Sequence, residues 1–214
     1  MFRRFNTPFW AAGDGTGVTG FVPGGTVSDF PSSPGPGPDS FIAIRITPET
    51  SSDIILMSIS GAFAPKPLIV TPAYDGGGQL SPDGRWLLYQ SDASGRPEIY
   101  VRRYPELDRQ WQVSDGGGIQ ARWSRNMREI YYRSGRRMVA AAFTGSGAEP
   151  VFGKPATLFT DDYDFGAGAS IANWDVTADG RFIMIRRGPN GGRLRVVVNW
   201  TEELRRILAS GGVQ

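Results

Sequence analysis

The chain has 214 residues, of which 40% are apolar and 12% aromatic, enough to bury a core in one large domain or two small ones. Its formal charge is only +2, and every cation except Lys66 and Lys154 is an arginine scattered along the chain. No concentrated basic patch therefore supports nucleic-acid binding. Cys and His are both absent, which excludes disulfides, thiolate or imidazole metal ligands, Ser-His-Asp and Cys-His catalysis, and imidazole pH switches.

With 29 Gly and 16 Pro the chain is rich in turns, and helix-like periodicity is confined to its C-terminal end. That combination predicts an all-β architecture. No apolar run approaches the roughly 18 residues of a membrane-spanning helix, so no membrane contact by this chain is expected. Met1-Phe-Arg-Arg-Phe-Asn6 carries positive charge without an apolar stretch behind it and does not read as a signal peptide.

Residues 1–35 read as a poorly defined N-terminal segment. Gly15-Thr-Gly-Val-Thr-Gly20 matches G-x-G-x-x-G. A phosphate loop would need a strand before it and a lysine soon after. The first lysine is Lys66, and Pro23-Gly24-Gly25 follows the motif, so it reads as coincidence in a glycine-rich chain. Ser32-Ser-Pro-Gly-Pro-Gly-Pro38 is turn-rich, and proline obstructs central strand pairing. The first unit is therefore expected to be damaged or loosely formed.

A repeat follows. Leu80-Ser-Pro-Asp-Gly-Arg-Trp-Leu-Leu-Tyr89, Trp123-Ser-Arg-Asn-Met-Arg-Glu-Ile-Tyr-Tyr132 and Val176-Thr-Ala-Asp-Gly-Arg-Phe-Ile-Met-Ile185 share one pattern, preceded by a degenerate Gly37-Pro-Asp-Ser-Phe-Ile-Ala-Ile44. The aligned positions Asp39, Asp83, Asn126 and Asp179 recur at about the 40–45-residue period of propeller blades. The last step is longer, by residues expected around Thr144–Gly153 and near Asp161. Each unit reads as four strands. In the best one these are Gly77–Ser81, Arg85–Ser91, Pro97–Tyr104 and Arg109–Ser114, with Asp83-Gly84 supplying a positive-φ turn. Third strands are expected at Asp53–Ile59, Glu98–Tyr104, Met138–Phe143 and Leu194–Asn199.

Asp161-Asp-Tyr-Asp164 lacks the spacing of a calcium loop and reads as an acidic surface loop. Trp200–Leu208 changes period: Leu204, Ile207 and Leu208 share one helical face, with Asn199 or Thr201 as cap and Gly211-Gly212 as stop. Residues 36–208 thus read as β-propeller blades with a short C-terminal helix, and 209–214 as a tail. The expected fold is a partial or small β-propeller of three to four four-stranded blades.

From Gly76 to Val101, around Leu80-Ser-Pro-Asp-Gly-Arg-Trp86, the chain resembles the TolB-type (PD40, WD40-like) β-propellers. Together with Asn199-Trp-Thr-Glu-Glu-Leu-Arg-Arg206 it resembles, more narrowly, the C-terminal propeller of bacterial eukaryotic-like serine/threonine protein kinases. The resemblance covers Asp53–Leu208. Two departures, Ser124-Arg-Asn-Met127 without Asp-Gly and the unclean first unit, predict irregular blades at those points.

The resemblance implies a non-catalytic ligand- or protein-binding module, a sensor or scaffold within a larger signalling protein. The alternatives are a decayed structural remnant, or the propeller of a prolyl-oligopeptidase-like hydrolase separated from its catalytic domain. The kinase resemblance would place the chain outside the cytoplasm in a membrane-anchored bacterial protein; otherwise it would be cytoplasmic. No cofactor or metal is implied.

Candidate site residues come from the repeat. Gln79, Arg122 and Asp175 precede Leu80, Trp123 and Val176, and period two puts the two sets on opposite faces. The apolar set should pack between blades. The polar set forms either inter-blade hydrogen bonds or a channel mouth that holds a ligand. Three sound units and one damaged one also predict missing blades supplied by a larger parent, or self-association. The rival is a small ring that Thr26–Ile44 completes.

Overall fold

The computed structural model describes residues 2–4, 7–11, 19–26, 28–147, 149–160, 171–177 and 179–185. The first three strands, β1 (Phe2–Arg4), β2 (Thr7–Ala11) and β3 (Thr19–Phe21), form one antiparallel sheet. Four-stranded antiparallel blades follow. Blade 1 is β4 (Asp29–Pro34), β5 (Ser40–Thr47), β6 (Ser51–Ser58) and β7 (Lys66–Ile69). Blade 2 is β8 (Asp75–Leu80), β9 (Trp86–Ser91), β10 (Glu98–Arg103) and β11 (Gln110–Gln112).

Blade 3 is β12 (Ile119–Trp123), β13 (Glu129–Ser134), β14 (Arg137–Thr144) and β16 (Ala156–Thr160), with the short β15 (Val151–Phe152) paired to the far end of β14. Part of the longer repeat step is thus this excursion between β14 and β16. Blade 4 is represented by β17 (Trp174–Val176) and β18 (Phe182–Met184). Among the described residues there is no helix. The predicted helix Trp200–Leu208, the strand Leu194–Asn199 and the acidic Asp161–Asp164 lie outside the described residues.

Period-two alternation sends each middle strand's side chains into two different cores. On β9, Leu87 and Tyr89 join Ile42, Ile54 and Leu56 of blade 1, while Trp86 and Leu88 join Ile130, Tyr132 and Val139 of blade 3. On β13, Tyr131 turns the other way, onto Trp174 and Val176 of blade 4. Phe41, Ala43, Ile55 and Met57 of blade 1 pack on Val22 and Trp10. All six residues of β9 are buried, and each large side chain so buried contributes on the order of 1.5–3 kcal/mol. Blades 1 and 2 approach closely at Gly78, where a Cβ would lie 2.7 Å from Ile54 Cγ2 and 2.9 Å from Ile42 Cγ2.

The repeated motif is a turn held by side chains. Ser81 Oγ donates to Asp83 Oδ1 at 2.6 Å and accepts from Trp86 N at 3.0 Å, with Gly84 at φ +72°. In blade 3, Ser124 Oγ meets Asn126 Oδ1 at 2.9 Å and accepts from Glu129 N at 2.9 Å. Thr177, Asp179 and Gly180 repeat the arrangement in blade 4. The expected irregularity at Ser124–Met127 is corrected: Asn126 accepts as Asp83 does, and Met127 itself adopts φ +57°. Asp39 is the exception. It sits between β4 and β5, but accepts from Ser60 N at 2.9 Å and from Ser58 Oγ at 2.7 Å, tying that turn to the end of β6.

Blade 1 is not damaged, contrary to the sequence expectation. Pro31 and Pro34 lie on β4, an edge strand that pairs only β5 within its sheet, where a missing N–H is tolerated. The blade therefore begins at Asp29, inside the segment set apart as residues 1–35. Gly20 of the G-x-G-x-x-G match lies in β3.

Gly84→Val should lower stability by about 1–3 kcal/mol, because a β-branched residue resists positive φ. Ser94→Ala, on an exposed hydroxyl, should stay within about 0.5 kcal/mol. Chemical denaturation of the two variants checks the difference. Trp123→Ala should cost about 3–5 kcal/mol, since Trp123 is 4% exposed and its ring lies 4.8 Å from that of Phe143. Ready iodide quenching of native Trp123 would contradict its burial.

Candidate functional site

The inner strands β4, β8, β12 and β17 each end at one cavity of about 500 Å³. Ser33, Pro34 and Gly35 line it from blade 1, Gln79 to Pro82 from blade 2, Arg122, Trp123 and Arg125 from blade 3, and Asp175 and Val176 from blade 4. Gln79, Arg122 and Asp175, selected by repeat position, are thus brought together. Their apolar neighbours go to the cores: Trp123 and Val176 are buried, and Leu80 packs on the core between blades 1 and 2.

Irregular inner strands shape this end. β8 shifts register between Gly76 and Gln79, with Gly77 at φ +65°. β12 shifts between Ile119 and Arg122, with Gln120 at φ +55° in the same repeat position. β4 shifts between Pro31 and Ser33. An added residue bends a strand and re-aims the side chains beyond it, here Ser33, Gln79 and Arg122.

The predicted residues divide by role. Gln79 Oε1 accepts from Trp123 N at 3.2 Å, and the Gln79 carbonyl accepts from Trp123 Nε1 at 3.3 Å. Gln79 therefore clips blade 2 to blade 3. Ser32 and Ser33 hydroxyls clip blade 1 to blade 2 by donating to the Gly78 carbonyl at 2.9 and 2.8 Å.

Arg122 is less satisfied. Among the described residues its side chain makes one hydrogen bond, from Nη2 to the Ala172 carbonyl at 3.4 Å, and its Nε is buried with no partner there. Burial pulls its pKa below the usual guanidinium range, against the opposing pull of the Asp175 charge. Asp175 and Arg125 are exposed. Ser33 and Arg125 escaped the repeat-based selection. Counting from Asp39 misplaces Ser33 behind the proline run, and Arg125 is a turn residue beyond its strand.

No family model matches the chain, and no curated protein matches it. Solved structures do. TolB from Acinetobacter baumannii matches with a TM-score of 0.52 and 16% identity, over 79% of this chain and 46% of that one. The fold is a TolB-like β-propeller fold. A protein assigned as TolB from Agrobacterium tumefaciens matches at 20% identity and TM-score 0.49, over 61% of this chain and 49% of its own length. A prolyl endopeptidase matches at 12% identity and TM-score 0.40, over 74% of this chain and 26% of that one. The chain spans about half the length of the TolB proteins it matches.

Gln79→Ala should cost about 1–3 kcal/mol, since it removes the acceptor for the Trp123 N–H at a closed blade junction. Equal unfolding midpoints for variant and parent would refute the clip.

Proposed function

We propose that this TolB-like propeller is a non-catalytic binding module that takes its ligand at the cavity where the inner strands of four consecutive blades meet. One observation carries the reading: the positions equivalent by repeat, Gln79, Arg122 and Asp175, line a single cavity whose size falls in the range of small-molecule sites. The chain's lack of His and Cys removes the commonest nucleophile–base pairs. A place in a larger signalling protein, such as a bacterial serine/threonine kinase, rests on the motif resemblance over Asp53–Leu208. A further blade or a second chain as partner is supported by β18, where Phe182 and Met184 pack on blade 3 while Ile183 and Ile185 are 61% and 51% exposed.

A thermal-shift screen of small metabolites against the full chain tests the reading. A ligand at about 100 times its Kd adds about 2.7 kcal/mol, or a melting shift of about 5–10 °C for a chain of this size. The shift should vanish in Arg122→Ala and Asp175→Ala. A screen without hits, or hits that keep their full shift in both variants, would overturn it.

A further inference from the structure

The cavity holds two cationic side chains and one carboxylate, none of them at ion-pairing distance from another. Arg122 and Asp175 form no ion pair within 4.0 Å, and Arg125 forms none among the described residues. Separated charges of opposite sign in one small cavity fit a ligand that is itself bipolar. A half-buried guanidinium with one long hydrogen bond and a buried, unpartnered Nε is left short of acceptors, and a carboxylate is the group whose planar oxygens match its fork.

Gln79 adds a donor. The Trp123 N–H holds its side-chain oxygen, so its NH₂ group remains for the cavity. Asp175 opposes a second negative charge nearby, which disfavours phosphate and favours a ligand carrying an ammonium group.

Resting on the reading of this cavity as a binding site, we infer that it takes a small zwitterion, a free amino acid or a short peptide. Arg122 and the Gln79 amide receive the carboxylate, and Asp175 receives the amino group. Ser33, whose hydroxyl proton is held by the Gly78 carbonyl, can still accept a hydrogen bond from the middle of such a ligand.

The test is calorimetric titration of the full chain with amino acids, glycyl dipeptides, the N-acetyl forms of both, and inorganic phosphate. At least one free zwitterion should bind saturably. Arg122→Gln should weaken it about ten- to hundredfold, the range for loss of a charge-assisted hydrogen bond. N-acetylation should weaken binding to the parent chain but not to Asp175→Asn, which no longer rewards the ammonium group. Asp175 lies exposed on the rim, so Asp175→Asn carries the test if Arg122→Gln fails to fold.

Binding that survives every one of these variants places the carboxylate elsewhere and overturns the inference. Binding of phosphate or N-acetylated compounds alone, or of no zwitterion, also overturns it. In those last cases a different ligand from the thermal-shift screen, still lost in Arg122→Ala, would leave the binding role of the cavity standing.

Discussion

Blades 1 to 3 have middle strands buried on both faces, and the rest of the structure follows from that constraint. A two-faced apolar strand cannot be satisfied by its own sheet. Leu87 needs blade 1 and Leu88 needs blade 3, and both are 0% exposed. Blades therefore stack in chain order, and their first strands are carried to a common end. The cavity is a by-product of that stacking: the polar side chains that line it arrive from separate repeats, each placed by its own apolar core.

The turns between first and second strands set how those inner strands end. A hydroxyl at Ser81, Ser124 or Thr177 bonds both the side chain two residues on and a backbone N–H of the next strand. This local network makes the turn tolerant. Asn126 can replace Asp because the bonding oxygen is retained. Met127 can replace Gly at the cost of a left-handed backbone, which its packing against the core between blades 2 and 3 offsets. Gln120 likewise occupies the positive-φ position that glycine holds in blade 2.

The electrostatics of the cavity differ from those of the surface around it. The surface pairs Arg85–Asp83 and Arg181–Asp179 lie within their own turns and are exposed, where such pairs contribute little. Arg45–Asp29 is different, with the carboxylate side chain fully buried and bonded to the guanidinium at 2.7 Å. Arg122 has neither arrangement. It is half-buried and bonded to the Ala172 carbonyl ahead of β17, yet has no carboxylate at bonding distance among the described residues.

The repeat, the strand order within each blade, the turn at Asp83-Gly84, the apolar positions Trp123 and Val176, and the grouping of Gln79, Arg122 and Asp175 were all legible in the sequence. They depend on period-two alternation and on local turn chemistry, which operate over a few residues. The soundness of blade 1 was not legible, because proline is tolerated in an edge strand such as β4, and edge or centre is decided by which strands pair. The strand irregularities at Gly77 and Gln120 were not legible either, since nothing local distinguishes an added residue from a regular one. Only the tertiary structure decided that Gln79 would spend its oxygen on Trp123 while Arg122 kept its guanidinium nearly unbonded. Those partners come from neighbouring blades, and their distances are set by how the apolar cores between blades pack.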